Sequence, residues 1–279
     1  MPKNLISTAW LAEHLGKPEL VVFDATKYLP NEPRDAMAEF RAAHVPGARF
    51  FDIDANADLE TDLPHMVPTP GRFARLIGAL GVANDSFVVF YDQKGLASAA
   101  RGWWMMRLYG HDHVAVLDGG LPKWVAEQRP VETGDAPAMA PAAFRPDFRA
   151  TGLRGIGDVL ANLESGRELV LDARAAGRFT AQVPEPRPGM RSGHIPGSVN
   201  LPYTELLAAD QTMLAPPTLR ARLARAGVDG RRSVVTSCGS GITACILTLA
   251  MVQAGLPAGA VYDGSWSEWG GRADTPIET

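Results

Sequence analysis

Apolar residues along this chain gather into short β-rich runs, and between the runs apolar positions return at helical spacing. In the second half the runs are Leu169–Leu171, Ser233–Ser237 and Ala260–Tyr262, and the helical stretches are Ile156–Leu163, Thr218–Ala226 and Ile242–Ala254. Runs this short and apolar read as strands buried on both faces. Their alternation with helices predicts an α/β fold with a mainly parallel sheet covered by helices. Ligands of such sheets sit beyond the carboxyl ends of the strands.

The two halves repeat each other, weakly but in order. LVVFDAT (Leu20 to Thr26) answers LVLDARA (Leu169 to Ala175), and the turn RAAHVPG ending at Gly47 answers RSGHIPG ending at Gly197. FVVFYDQKGLASAA answers SVVTSCGSGITACI, which sets Asp92 opposite Cys238; VLDGGLPKW, ending at Trp124, answers VYDGSWSEW, ending at Trp269. Each landmark recurs roughly 145 to 150 residues downstream, a period far longer than that of a solenoid, so the chain reads as two duplicated domains. The Pro- and Ala-rich segment 131–150 reads as a linker between domains 1–130 and 151–279. His44 and His194 fall in turns present in both halves, which points to turn structure rather than chemistry.

Composition narrows the function classes. The chain has 279 residues, 46% hydrophobic and 21% charged, with a net charge of −4, so nothing favours nucleic acid or an anionic membrane as partner. No apolar stretch is long enough to span a bilayer and no secretory leader is evident; the expected compartment is the cytoplasm and the expected state a monomer. The two cysteines, Cys238 and Cys245, lie on one loop and helix, where a bridge would strain the backbone. Too few Cys and His ligands surround them for a metal site, and no cofactor is implied.

Cys238 ends the run Ser233–Ser237 and is followed by Gly239, Ser240 and Gly241, with a helix expected from about Ile242. A thiol at such a strand-to-helix junction meets backbone N–H groups and a helix N-terminus, both of which favour thiolate, the reactive form. Cys245 lies within an apolar helical stretch, as a core residue does. Cysteine-dependent phosphatases close their loop with an arginine six residues after the nucleophile, and here that position is Ala244. Without a guanidinium to bind phosphoryl oxygens, that chemistry is excluded.

The repeat, the Arg-x-x-His-(Ile/Val)-Pro-Gly turns, the Asp-Gly…Trp endings and the loop Cys238–Thr243 resemble the two-domain rhodanese family over nearly the whole chain. The loop CGSGIT is similar to that of the 3-mercaptopyruvate sulfurtransferases. Thiosulfate-using members carry a basic loop of the type CRKGVT, and this chain has Gly239 and Ser240 at its two basic positions. The resemblance implies two tandem rhodanese-like domains, the first non-catalytic because Asp92 stands where the nucleophile would be. It implies that Arg178 and Arg187 bind the carboxylate and carbonyl of the donor. Gly239, Gly241, Ile242 and Thr243 would complete the substrate-binding loop. It further implies a Ser240–His65–Asp54 arrangement across the domain interface that manages the proton. Arg174, beside the strand, is adequately explained as a surface or ion-pair arginine.

The expected reaction moves sulfur from 3-mercaptopyruvate to Cys238, releases pyruvate, and passes the sulfur to a thiol such as thioredoxin, or to cyanide. Alternatives are a thiosulfate sulfurtransferase, a redox-sensing thiol protein using Cys245 as resolving partner, and a silent binding module.

Overall fold

The structure, a computed structural model, describes residues 4–136 and 138–279. The first half contributes β1 (Leu5–Ile6), β2 (Leu20–Asp24), β3 (Arg49–Phe50), β4 (Phe87–Tyr91) and β5 (Val114–Leu117). The second contributes β6 (Leu153–Arg154), β7 (Glu168–Asp172), β8 (Val199–Asn200), β9 (Ser233–Ser237) and β10 (Ala260–Tyr262). Each set forms one five-stranded sheet, ordered β1-β5-β4-β2-β3 and β6-β10-β9-β7-β8, in which all neighbours are parallel. The internal repeat is therefore a repeat of topology. Even register is kept: Asp24 pairs with Tyr91 at the carboxyl end of one sheet, and Asp172 with Ser237 at that of the other.

Element boundaries differ from the expected ones where local chemistry overrides periodicity. The helix after the cysteine loop runs Ala244–Gln253, starting two residues later than expected, because Gly241 sits at φ +74° and keeps Ile242 and Thr243 in the turn. The helix expected from Thr218 begins at Pro216, where proline's fixed φ suits the first turn. The helix from Ile156 runs on to Ser165 and stops at Gly166, which takes the left-handed conformation. The two-residue edge strands β1, β3, β6 and β8 are too short to leave a periodic signal.

Two helices meet between the sheets. Ala99–Leu108 of the first domain packs on Ala244–Gln253 of the second, and both are buried on nearly every face. That environment explains their lack of a polar stripe. One continuous apolar core results, running from Phe23, Phe51 and Phe90 through Trp103 and Trp104 to Leu247 and Leu249. Segment 131–150 is strapped along the first domain: Ala142 N donates to Gly78 O (2.8 Å), Asp147 N to Tyr109 O (2.9 Å), and Phe144 packs edge-on against Phe73. Gly78 permits this, since a Cβ there would lie 2.4 Å from the Ala142 carbonyl oxygen. No helix among the described residues is long and apolar enough to cross a membrane.

Candidate active site at the domain interface

The loop after β9 opens onto a cavity of about 270 Å³ between the domains. His65, Arg178, Arg187, Cys238, Gly239, Ser240, Ile242 and Thr243 all line it. Asp54 stands behind His65 and faces an adjoining cavity that shares Lys27, Tyr28, His65 and Arg187. Gly241 turns away from the cavity, toward Asp263 and Arg101.

Cys238 is 2% exposed, at the floor of this space. Its own N–H donates to Ser265 Oγ (3.1 Å) and its carbonyl accepts from Trp266 N (3.0 Å), so its backbone is fixed from the segment after β10. The N–H groups of Gly239 through Thr243 donate to no protein acceptor among the described residues. In the first domain the equivalent loop, together with the first turn of the helix after it, does have an acceptor. The Asp92 carboxylate accepts from Lys94 N at 2.9 Å, Ala97 N and Ser98 N at 2.8 Å, and Ala99 N at 2.9 Å. The duplicated loop is thus an anion cradle, occupied in one copy by its own aspartate and facing a cysteine in the other.

The cations around the cavity fall into two groups. Lys27 is paired with Asp54, and Lys94 with Glu32 at 2.9 Å. Arg174 and Arg178 share Glu185, at 2.8 and 2.5 Å. Arg178 spends Nε and Nη2 on that carboxylate and keeps Nη1 free. Arg187 alone among these has no carboxylate partner within the described residues. Burial holds its pKa below the ordinary arginine value.

Arg174 is the ion-pair arginine expected of it, but it is not on the surface. Its side chain is fully buried, clasped by Asp172 at 2.7 Å and by Glu185, and it stacks over Trp266. It carries Glu185 and hence orients Arg178. Asp24, the counterpart of Asp172 in the first domain, has Thr26 where Arg174 stands. With no guanidinium beside it, burial raises its pKa to about 7.

His65 and Asp54 meet as the resemblance implied: Nδ1 lies 2.7 Å from Asp54 Oδ1, an ion-pair contact off the line of a well-aligned hydrogen bond. The other ring nitrogen, Nε2, faces Arg187 Nη2 at 3.1 Å. Because arginine only donates, Nε2 carries the lone pair and Nδ1 the proton. Burial keeps the imidazole pKa below its usual value, and the Asp54 carboxylate opposes that shift. Asp54 itself is held well below the usual carboxylate range by its contact with His65. No hydrogen bond joins Ser240 to His65, although both line the cavity.

Three contributors escaped the sequence reading. Lys27 and Lys94 enter from the first domain just past the ends of β2 and β4, the ligand edge of any such sheet. Arg101 lies beneath the loop, and its only signal was a charge in the first turns of an apolar helix whose other arginine, Arg107, lies at its far end. Cys245 meets its expectation as core: it is fully buried, its thiol donates to Gly241 O (3.2 Å), and burial raises its pKa well above the ordinary value. No group of three or more His, Cys, Asp or Glu among the described residues is placed to hold a metal ion.

The pattern of the Rhodanese-like domain matches residues 7–127 and again 156–272. The chain belongs to the rhodanese family. The rat protein named 3-mercaptopyruvate sulfurtransferase is 43% identical over 97% of this chain and 93% of its own length. The rat thiosulfate sulfurtransferase is also 43% identical, over 99% of this chain and 94% of its own. The crystal structure of SseA from Escherichia coli, a 3-mercaptopyruvate sulfotransferase by its description, superposes with a TM-score of 0.85 at 37% identity. That match covers 95% of this chain and 99% of SseA. Overall similarity to rhodaneses does not separate the two donors, so the difference has to be sought in the cavity.

Proposed function

We propose that this chain is a 3-mercaptopyruvate sulfurtransferase in which Cys238 carries the sulfur as a persulfide. The names of its relatives support the class of reaction, and one observation carries the donor: a Cβ on Gly239 would lie 3.0 Å from Arg178 Nη2. The loop glycine lets a guanidinium close over the cysteine, where a loop arginine would displace it. The cavity thus offers a single free nitrogen, Arg178 Nη1, and the uncompensated guanidinium of Arg187 to the planar carboxylate and carbonyl of a 2-oxo acid.

The Cys238 thiolate attacks the sulfur of the bound donor, and the carbon–sulfur bond breaks with its electron pair passing to carbon. The resulting enolate takes a proton and leaves as pyruvate, and Cys238 keeps the sulfur as a persulfide. Free loop N–H groups stabilise negative charge on sulfur in both states. His65, held by Asp54 with its lone pair on Nε2, and the Ser240 hydroxyl handle the proton. Donor binding draws Arg187 toward the carboxylate and frees Nε2 for that task. An acceptor thiolate, with thioredoxin as the expected protein partner, then attacks the outer sulfur and restores Cys238.

The first domain, residues 1–130, is non-catalytic in this proposal and segment 131–150 joins it to the catalytic domain 151–279. A reducing compartment, the cytoplasm, fits two buried free thiols. The mutual packing of the halves fits a monomer. The test compares kcat/KM for 3-mercaptopyruvate and thiosulfate with one thiol acceptor, in wild type and Cys238→Ser. Thiosulfate used as well or better overturns the donor assignment, and activity surviving in Cys238→Ser overturns the mechanism. Mass spectrometry after donor alone is expected to show one added sulfur on Cys238.

A further inference from the structure

Arg101 belongs to the first domain, yet its guanidinium reaches into the second domain's loop assembly. It is 0% exposed. Nη1 donates to Gly241 O at 3.1 Å and to Asp263 Oδ1 at 2.7 Å, while Nη2 donates to the carbonyl of His65. The other carboxylate oxygen of Asp263 accepts from Val67 N at 2.7 Å. One cation therefore ties together the cysteine loop, the segment after β10 and the backbone that presents His65.

The contact with Gly241 has a directional consequence. In a trans peptide the carbonyl and the following N–H point opposite ways. A Gly241 oxygen drawn away from the cavity, by Arg101 and by the Cys245 thiol at 3.2 Å, leaves the Ile242 N–H directed the other way. The same device recurs two residues earlier, where Gly239 O accepts from Ser267 N (2.8 Å) and Ser267 Oγ (2.7 Å). Gly241 tolerates the arrangement because it has no side chain. At its φ of +74° a Cβ would lie 2.7 Å from Asp263 O and 3.0 Å from Arg101 Nη1.

We propose that Arg101 is an interdomain positioning residue: by holding the Gly241 carbonyl outward it aims the Ile242 N–H at the Cys238 sulfur. The first domain, which has no nucleophile, supplies in this way the element that orients the second domain's anion cradle. The inference rests on Cys238 being the sulfur carrier, and its test is separate, since it reads the thiol without any donor.

The test follows iodoacetamide alkylation of Cys238 across pH in wild type, Arg101→Lys and Arg101→Gln. Lysine keeps the charge but not the fork, and the other ionisable groups lining the cavity with the sulfur (Lys27, Tyr28, Glu32, His65, Lys94, Arg174, Arg178, Arg187, Tyr203) are unchanged. Both variants are expected to shift the alkylation midpoint upward by about one pH unit and to lower kcat for sulfur transfer more than they raise KM. An unshifted midpoint in folded Arg101→Lys overturns the proposal, because charge alone is then sufficient. Should neither variant fold, wild-type protein labelled with ¹⁵N at isoleucine serves instead. The Ile242 amide proton is expected to move when Cys238 passes from thiol to thiolate, and a stationary resonance overturns the proposal.

Discussion

Arg187 donates to Nε2 of His65 across 3.1 Å, so the guanidinium that awaits a carboxylate also holds the imidazole neutral. Burial acts in the same direction, and His65 titrates below its ordinary value of 6.5. Protonating it would set two cations against each other. As pH falls through that range the unfolded chain takes up a proton that the folded chain refuses. The stability this provides is complete above about pH 6.5 and lost as pH falls through the depressed folded value. Melting curves recorded from pH 7.5 to 5 are expected to fall more steeply for wild type than for His65→Gln. Parallel curves would remove His65 as the titrating group.

Asp24 produces a slope of the opposite sign. Its folded pKa of about 7 lies above the ordinary 3.8, so the folded state binds the extra proton between those values and loses stability as pH rises across them. Asp24→Asn is expected to flatten this slope, gaining on wild type at pH 8 relative to pH 5. Equal gains or losses at both pH values would count against a protonated Asp24.

Gly239→Arg restores the basic loop position found in thiosulfate-using members. The new side chain meets Arg178 Nη2 where only 3.0 Å is open, and like charge adds to the steric conflict. We expect kcat/KM for 3-mercaptopyruvate to fall by at least about tenfold, with thiosulfate less affected and the circular dichroism spectrum unchanged. Equal losses on both donors would show that the loop glycine does not select between them.

How much of this was legible in the sequence depended on the range of the interaction. Strand–helix alternation is a local pattern and the duplication is written openly in repeated motifs, and the structure shows both in its two sheets. The edge strands were missed because two residues leave no period, and the helix start after Cys238 was displaced by one left-handed glycine. Arg174 was read as a surface or ion-pair residue, and its burial was not legible because nothing in its neighbours along the chain announces Glu185 across a proline-rich excursion. Arg101 was invisible for a similar reason: its partners, His65, Gly241 and Asp263, are distant in sequence and converge only on docking.

Glu185→Gln tests that excursion. It leaves Arg174 with Asp172 alone and releases Arg178. Buried charge half-compensated in this way costs about 2 kcal/mol of stability, read from denaturant unfolding, and KM for the donor should change because Arg178 is no longer aimed. A variant with wild-type stability and KM would show that the shared carboxylate is dispensable.

The Asp92 cradle bears on the order in which the molecule assembles. A loop closed by its own aspartate can complete itself as soon as its domain has folded, and this half is synthesised first. The loop that carries Cys238 has no carboxylate of its own to fill it, and beside its ties to Ser265 and Ser267 it depends on an arginine from its neighbour. The reactive thiol therefore acquires its final surroundings last, after the earlier half has become a finished template for it.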